Sequence, residues 1–399
     1  MEVLILGCRG IPARHGGFET FAETLSSYLT AQGHSVTVYC QSDTKPEQRV
    51  DVWHGVQRVH IYGPPGASGT IKFDLEAVLD SLKRPGVILI LGYNTAVFSI
   101  LYRMVGRSSL MNMDGIEWKR QKWSPLQRLW LRLNEFAGAK LSNHLIADHP
   151  AIGKHLLRHV DAEKISVIAY GADSIDLPVA LSQPRPEVLV RLGLSSQRYA
   201  LVIARPEPEN SILEIVEAFS ARSRGMKLVV LGDLRPEESE YHRKVMAHAS
   251  ADVIFPGTIY AKPEVEALRQ HARVYLHGHR VGGTNPSLVE ALAADGAVIA
   301  HDNVFTRWVA GPGAAFFRGA EDLTVLLDQL LNDDVRLQAM RASSHQRHLD
   351  EFLQSKILSS YEALLMKYWE AGPKHIGTPS AGSHAVPAKV ADRRVTISN

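Results

Sequence analysis

Residues 277–303, HGHRVGGTNPSLVEALAADGAVIAHDN, read as one unit of α/β architecture. A strand over Val274–His277 gives way to a loop carrying Gly282, Gly283 and Thr284. A helix then opens with Asn285 as N-cap and Pro286 at its first position. The next strand, 297–300, follows one helix later. Repeated strand–helix units of this kind build a parallel sheet with such loops at its C-terminal edge. Free amides and the helix dipole make this loop a seat for a phosphate without any metal.

Working outward, the same alternation extends back through strands at 253–255, 227–231 and 199–204. A separate series precedes it, with strands at 3–7, 35–40, 87–91, 145–147 and 165–168 and a strand end at 110–113. Segment 176–186 holds three prolines and little periodicity, which suits a linker. The expected fold is therefore α/β with two facing Rossmann-like domains, 1–178 and 187–345. A C-terminal helix over 346–370 is placed to pack back on the N-terminal domain, and the tail 372–399, rich in Ala, Ser, Pro and Gly, is expected to be disordered. A chain of 399 residues with 45% hydrophobic composition is long enough for two cores.

Bulk properties exclude several classes. A net charge of +2 with 22% charged residues does not describe a nucleic-acid binder. Cys8 and Cys40 have no ligand-type spacing, so neither a disulfide framework nor a zinc site is expected, and a reducing cytoplasmic location fits. Glu2 beside an opening core strand disfavours a secretory leader. The uncharged run 85–102 is broken by Gly92-Tyr93-Asn94, so it reads as a strand, a loop and a helix rather than a membrane span.

The first strand leaves through CRGIPARHGGFETFAETL, residues 8–25, a long loop bearing Arg9, Arg14 and His15 and the glycines Gly10, Gly16 and Gly17. It lacks GxGxxG, and the second strand ends Cys40-Gln41 with no acid to hold a ribose, which disfavours a nicotinamide enzyme. Glycines before a helix N-terminus still suit close approach by an anionic or polyhydroxyl ligand.

Three further features carry chemistry. Glu290 is either the partner of Ser287 in a capping box or a carboxylate for two ribose hydroxyls. Asp114-Gly115 is either a simple turn or a cleft carboxylate that orients an acceptor hydroxyl, with Glu117 an equal candidate for that acid. Segment 118–140 places Trp118, Trp123 and Trp130 among Lys119, Arg120, Lys122, Arg128, Arg132 and Lys140. This pattern suits contact with the inner leaflet of a membrane, or a core helix with a solvated charged face. His277 and His279 lack a further ligand, and no Asp-x-Asp occurs, so neither a metal nor a cofactor is expected.

Gly-Gly-Phe-Glu at 16–19, Gly-His at 33–34 and Gly-Gly-Thr-Asn-Pro-Ser-Leu-x-Glu-Ala at 282–291 together resemble the retaining glycosyltransferases of family four, which have the two-domain GT-B fold. The resemblance spans residues 1 to about 370. It implies that Glu290 holds the nucleotide ribose and that glycine-rich loops hold the diphosphate. Donor binding is thereby assigned to Gly16, Gly17, Arg205, Asn210, Gly282, Gly283, Thr284, Asn285 and Glu290. The family's earlier glutamate is replaced by Gly282, and the lysine that follows its arginine by Asn210. These departures, with ARPEPENSI at 204–212 and MDGIEWKRQKW at 113–123, are similar to a branch of bacterial rhamnosyltransferase-like proteins.

That branch implies dTDP-rhamnose as donor in surface-polysaccharide synthesis. With the missing Asp-x-Asp and segment 118–140, the expected reaction is a metal-independent transfer of L-rhamnose to a glycan or polyprenyl-diphosphate-linked glycan, at the cytoplasmic face of the inner membrane. The rival readings are a nucleotide-sugar 2-epimerase, which would need no acceptor, and a non-catalytic sugar-nucleotide-binding protein.

Overall fold

The computed structural model describes residues 1–13, 16–120, 123–175 and 185–372. Most of the expected linker and all of the expected disordered tail beyond Gly372 lie outside these residues.

The N-terminal domain runs β1 (Glu2–Leu6), α1 (Gly17–Ala31), β2 (Ser35–Ser42), β3 (Val50–Trp53), β4 (Val56–Tyr62), α2 (Ala67–Ser81), β5 (Val87–Leu91), α3 (Ile100–Met104), β6 (Ser109–Asn112), α4 (Pro125–Leu141), β7 (His144–Ala147), α5 (Pro150–Leu156) and β8 (Ile165–Val167). Its sheet is ordered β3-β4-β2-β1-β5-β6-β7-β8. The central strands β1 and β5 are apolar throughout or nearly so and covered on both faces, as parallel strands between helical layers must be.

The C-terminal domain continues with α6 (Glu187–Arg191), β9 (Tyr199–Ile203), α7 (Ile212–Ser220), β10 (Lys227–Leu231), α8 (Glu240–Ala247), β11 (Val253–Gly257), α9 (Lys262–His271), β12 (Val274–His277), α10 (Pro286–Ala293), β13 (Val298–His301), α11 (Val304–Ala310), β14 (Ala315–Phe317), α12 (Ala320–Leu330) and α13 (Asp334–Arg347). Its sheet, β11-β10-β9-β12-β13-β14, is wholly parallel and follows the doubly wound order. The chain order therefore reverses between β9 and β12, and in the first sheet between β1 and β5. Ligands bind such sheets at these points.

Two features depart from the strand series read from sequence: β14 adds an edge strand to the second sheet, and a hairpin forms the edge of the first. β3 and β4 form an antiparallel hairpin, so the first sheet is mixed at its edge rather than wholly parallel. His54 and Gly55 both take positive φ, 46° and 82°, the signature of a tight two-residue turn whose twist matches the strands it joins.

The last helix, α14 (Gln354–Glu370), returns to the N-terminal domain. Glu362 accepts a hydrogen bond from the Tyr28 hydroxyl at 2.7 Å and pairs with His34 Nε2 at 2.8 Å, while the Tyr361 ring lies 4.8 Å from that of Phe21. Where the chain crosses between domains, Ala172 N–H donates to the Phe352 carbonyl and Gln354 N–H donates to the Ala172 carbonyl, both at 3.0 Å. Cys8 and Cys40 are free and buried. Among the described residues, no helix is long and apolar enough to cross a membrane.

Candidate active site

The loops after β9 and β12 meet the loops after β6 and β7 across the cleft and enclose a cavity of about 230 Å³. From the C-terminal domain its wall includes Arg205 and the run Val281 to Pro286. From the N-terminal domain come Gly17, Phe18, Asp114, Glu117, Arg120, Asp148 and Tyr170. The start of α1 faces the start of α10, since a Cβ on Gly17 would lie 3.9 Å from the Pro286 ring. Two helix N-termini thus point into one space, each a favourable place for negative charge.

α10 begins as its sequence dictates, with Asn285 as N-cap accepting from Ser287 N–H at 3.0 Å and Pro286 at the first helical position. This cap overturns the capping-box reading of Glu290. The Ser287 hydroxyl is spent on Tyr275, 2.6 Å away, and the Glu290 carboxylate is held instead by Arg269 of α9. Glu290 and Arg269 line a second cavity of about 320 Å³, bordered by Thr20 and Thr24 of α1 and by Tyr260 and Lys262. Apart from Gly16 and Asn210, the residues expected to bind donor therefore divide between two cavities that share α1 and α10 as walls.

Asp114 lies at a turn that needs a positive φ, 49°, and its N–H is held by Asn112 Oδ1 at 2.9 Å. Asn112 is fully buried, and its Nδ2 donates to the Tyr361 hydroxyl of α14 at 2.8 Å. The turn is fixed again by Tyr93, which donates to the Gly115 carbonyl at 3.3 Å and accepts from Glu117 N–H at 2.8 Å. Glu117 pairs with Arg120 at 3.2 Å, and Arg120 reaches Glu209 of the other domain at 3.7 Å. Arg120 is thus a cleft residue, which removes it from the membrane-facing cations expected of segment 118–140.

Asn210 is buried, and its Nδ2 donates to the Arg205 carbonyl at 2.8 Å. It shapes the loop that carries Arg205 and does not line either cavity. Gly16 is exposed and extended at the N-cap of α1, and it also lies off both walls. Arg14 and His15 fall outside the described residues.

Asp148, at the end of β7, was not among the residues expected from sequence. It is 2% exposed, and its Oδ2 accepts the Thr284 N–H at 2.8 Å. The Thr284 hydroxyl donates back to the Asp148 carbonyl. Burial, reinforced by the charge of Asp114 and opposed by the Thr284 amide, pushes the Asp148 carboxyl up to about 8. Its place is readable in hindsight, as a carboxylate at the C-terminal end of a strand before a Pro-started helix.

His277 and His279 stack 4.4 Å apart behind this loop. Burial, with the positive Arg205 and Arg120 nearby, lowers His279 to about 3, and burial holds His277 well below its ordinary value. Both are neutral packing groups. Among the described residues, the His, Cys, Asp and Glu group with metal-ligand spacing is Glu135, His155 and His159, away from both cavities. There the two imidazoles and the Trp118 indole N–H hydrogen-bond a buried carboxylate.

Comparison with known proteins follows the two domains. Residues 1–173 match the model described as Domain of unknown function (DUF1972), and residues 188–347 match Glycosyl transferases group 1. No curated protein matches the sequence. A sucrose-phosphate synthase from Thermosynechococcus elongatus has the same fold, with a TM-score of 0.76 at 15% identity over 93% of this chain and 100% of that one. Anabaena HepE in complex with UDP-glucose gives 0.72 at 14% identity, over 92% and 100%. An α,α-trehalose 6-phosphate synthase from Burkholderia multivorans gives 0.71 at 12% identity, over 95% and 99%. The architecture is the two-domain GT-B fold, and the glycosyltransferase match falls on its second domain.

Proposed function

We propose that this chain moves a sugar from a nucleoside diphosphate to a hydroxyl of a glycan or polyprenyl-diphosphate-linked glycan. L-Rhamnose from dTDP-rhamnose is the donor that the branch resemblance favours. The observation that carries the reading is the convergence of Arg205 and the Gly282–Asn285 loop with Asp114 and Glu117 in one cavity of about 230 Å³.

In this reading the donor diphosphate lies against the start of α10, where loop amides and Arg205 stabilise the charge that develops as the sugar–oxygen bond breaks. The nucleoside extends into the cavity of about 320 Å³, where Glu290 binds the ribose hydroxyls. Solved neighbours carry UDP and UDP-glucose, which supports a nucleotide sugar in this cleft. Asp114 or Glu117 orients the acceptor hydroxyl, whose proton leaves as the new glycosidic bond forms and the nucleoside diphosphate departs. Retention of anomeric configuration is inferred from the family. Incubation with a panel of nucleotide sugars and lipid-linked acceptors, followed by mass analysis, tests the assignment. Release of an altered sugar nucleotide without acceptor would replace it with the epimerase.

We also propose that segment 118–140 meets an anionic membrane surface, through residues other than its first two tryptophans. Trp118 and Trp123 pack against the domain core. The outer face of α4 instead exposes Leu126, Leu129, Leu133 and Phe136, at 50 to 80%, beside Arg132 and Lys140. Ile100, Met104 and Val105, on and just after α3, are exposed as well, with Arg103. The two parts are joined where Trp130 Nε1 donates to the Asn94 carbonyl at 2.9 Å and Val97 N–H donates to Asn134 at 3.0 Å. A broad apolar face framed by cations suits insertion at headgroup depth. Such docking would bring the cleft to a lipid-linked acceptor.

A further inference from the structure

We infer that Asp148 is the positioning residue that seats the Gly282–Thr284 loop on the N-terminal domain, and that it does so as an uncharged acid. A diphosphate held by that loop then meets no charge from Asp148. The inference rests on the donor reading above and adds to it a residue that joins the two domains at the point of phosphate contact.

Three observations converge. Asp148 and Thr284 exchange two hydrogen bonds across the cleft, and each is 2% exposed. Gly283 packs so closely on the carboxyl that a Cβ there would lie 2.2 Å from Oδ2 and 2.3 Å from Oδ1. Only glycine fits this contact without the loop moving away. Among the described residues Asp148 Oδ1 is buried without a hydrogen-bond partner, the place where an acid proton would reside while Oδ2 accepts the Thr284 N–H.

The surroundings favour the neutral form. Burial is the largest cause, the Asp114 carboxylate adds to it, and the Thr284 amide opposes both, leaving the group raised to about 8. The Tyr170 and Tyr361 phenols, which face Asp148 from the end of β8 and from α14, are themselves raised and uncharged. An ionised Asp148 would place a second anion beside Asp114 under the phosphate seat. Donor affinity is therefore expected to fall as pH rises through about 8.

The test measures calorimetric affinity for dTDP-rhamnose and UDP-glucose from pH 7 to 9, a range over which the diphosphate diester keeps its charge. In the native chain the dissociation constant rises about tenfold, the change in neutral fraction over that range for such a group. Asp148→Asn, which is uncharged at every pH, flattens this rise, and the same rise in the variant overturns the inference. Gly283→Ala forces the loop and the Asp148 carboxyl apart and weakens donor binding at every pH, and unchanged affinity in that variant counts against the seating contact.

A ligand-free measurement separates this inference from the donor reading. A carboxyl raised on folding contributes stability that is complete at low pH and lost as pH rises through about 8. Asp148→Asn is therefore expected to melt above the native chain by a margin that widens from pH 5 to 8 and then levels. Coincident melting curves overturn the uncharged acid. Failure of both sugar nucleotides to bind the native chain, with the melting margin intact, overturns the donor reading alone.

Discussion

Glu290 enters its cavity as one half of an ion pair with Arg269, whose side chain is only 7% exposed while that of Glu290 is 42% exposed. The arginine fixes one carboxylate oxygen and leaves the other face toward the space where a ribose would lie. Glu290→Gln keeps an acceptor for Arg269 but loses a charge-assisted bond, so donor affinity is expected to fall about tenfold with the fold intact. Glu290→Ala strands a buried guanidinium and is expected to cost about 2 to 3 kcal/mol of stability as well. Calorimetry and thermal melting separate the two effects, and unchanged affinity in Glu290→Gln removes the ribose role.

Asp114 occupies a left-handed backbone position that Asn tolerates better than Ala. Asp114→Asn is therefore the clean probe. It should reduce single-turnover transfer by roughly a hundredfold or more if the carboxylate orients the acceptor, while donor binding survives. Glu117→Gln provides the comparison, because Glu117 is already paired with Arg120. If Glu117→Gln loses transfer and Asp114→Asn does not, the acid role passes to Glu117. Loss of donor binding in Asp114→Asn would move that residue to the nucleotide side.

Transfer is expected to proceed in excess chelator. The chain contains no Asp-x-Asp, and Arg205 with the start of α10 can answer the diphosphate charge. Rates measured with chelator, then with magnesium or manganese restored, decide it. A strict requirement for either ion would show that the loop and Arg205 are not sufficient.

The membrane face should yield to changes that leave the core alone. Leu129→Glu with Leu133→Glu places charge on exposed positions of α4 and should abolish sedimentation with anionic vesicles. Arg132→Glu with Lys140→Glu should weaken it, each cation contributing roughly 1 kcal/mol near such a surface. Activity on a short water-soluble acceptor should persist in both. Full vesicle binding by the leucine variant would assign this face to another partner.

Legibility followed the range of the interactions. The 274–303 segment could be read because strand, glycine loop, N-cap and Pro-started helix are all local chemistry, and Glu290 could be singled out from its place in that run. Its partner Arg269 could not, since it looks like any cation late in an amphipathic helix. Asp148 contacts Thr284 across 136 positions of sequence, and nothing local announces that pairing. Arg120 was grouped with its basic neighbours, yet the turn at Glu117–Lys119 carries it into the cleft. The β3–β4 hairpin was the avoidable omission, because His54-Gly55 between apolar-rich strands is a turn signal in its own right.

The return of α14 to the N-terminal domain has a consequence for how the chain can be divided. Residues 1–175 and 185–372 follow one another along the chain, but the second piece also carries the helix whose Tyr361 and Glu362 are bound by Asn112, Tyr28 and His34 of the first. A backbone cut between Ile175 and Arg185 would thus leave two fragments that still dock, with Ala172 clasped between Phe352 and Gln354. Co-expressed halves divided there are expected to co-purify, whereas a C-terminal piece ending at Arg347 would lack the α14 contacts and hold its partner more weakly.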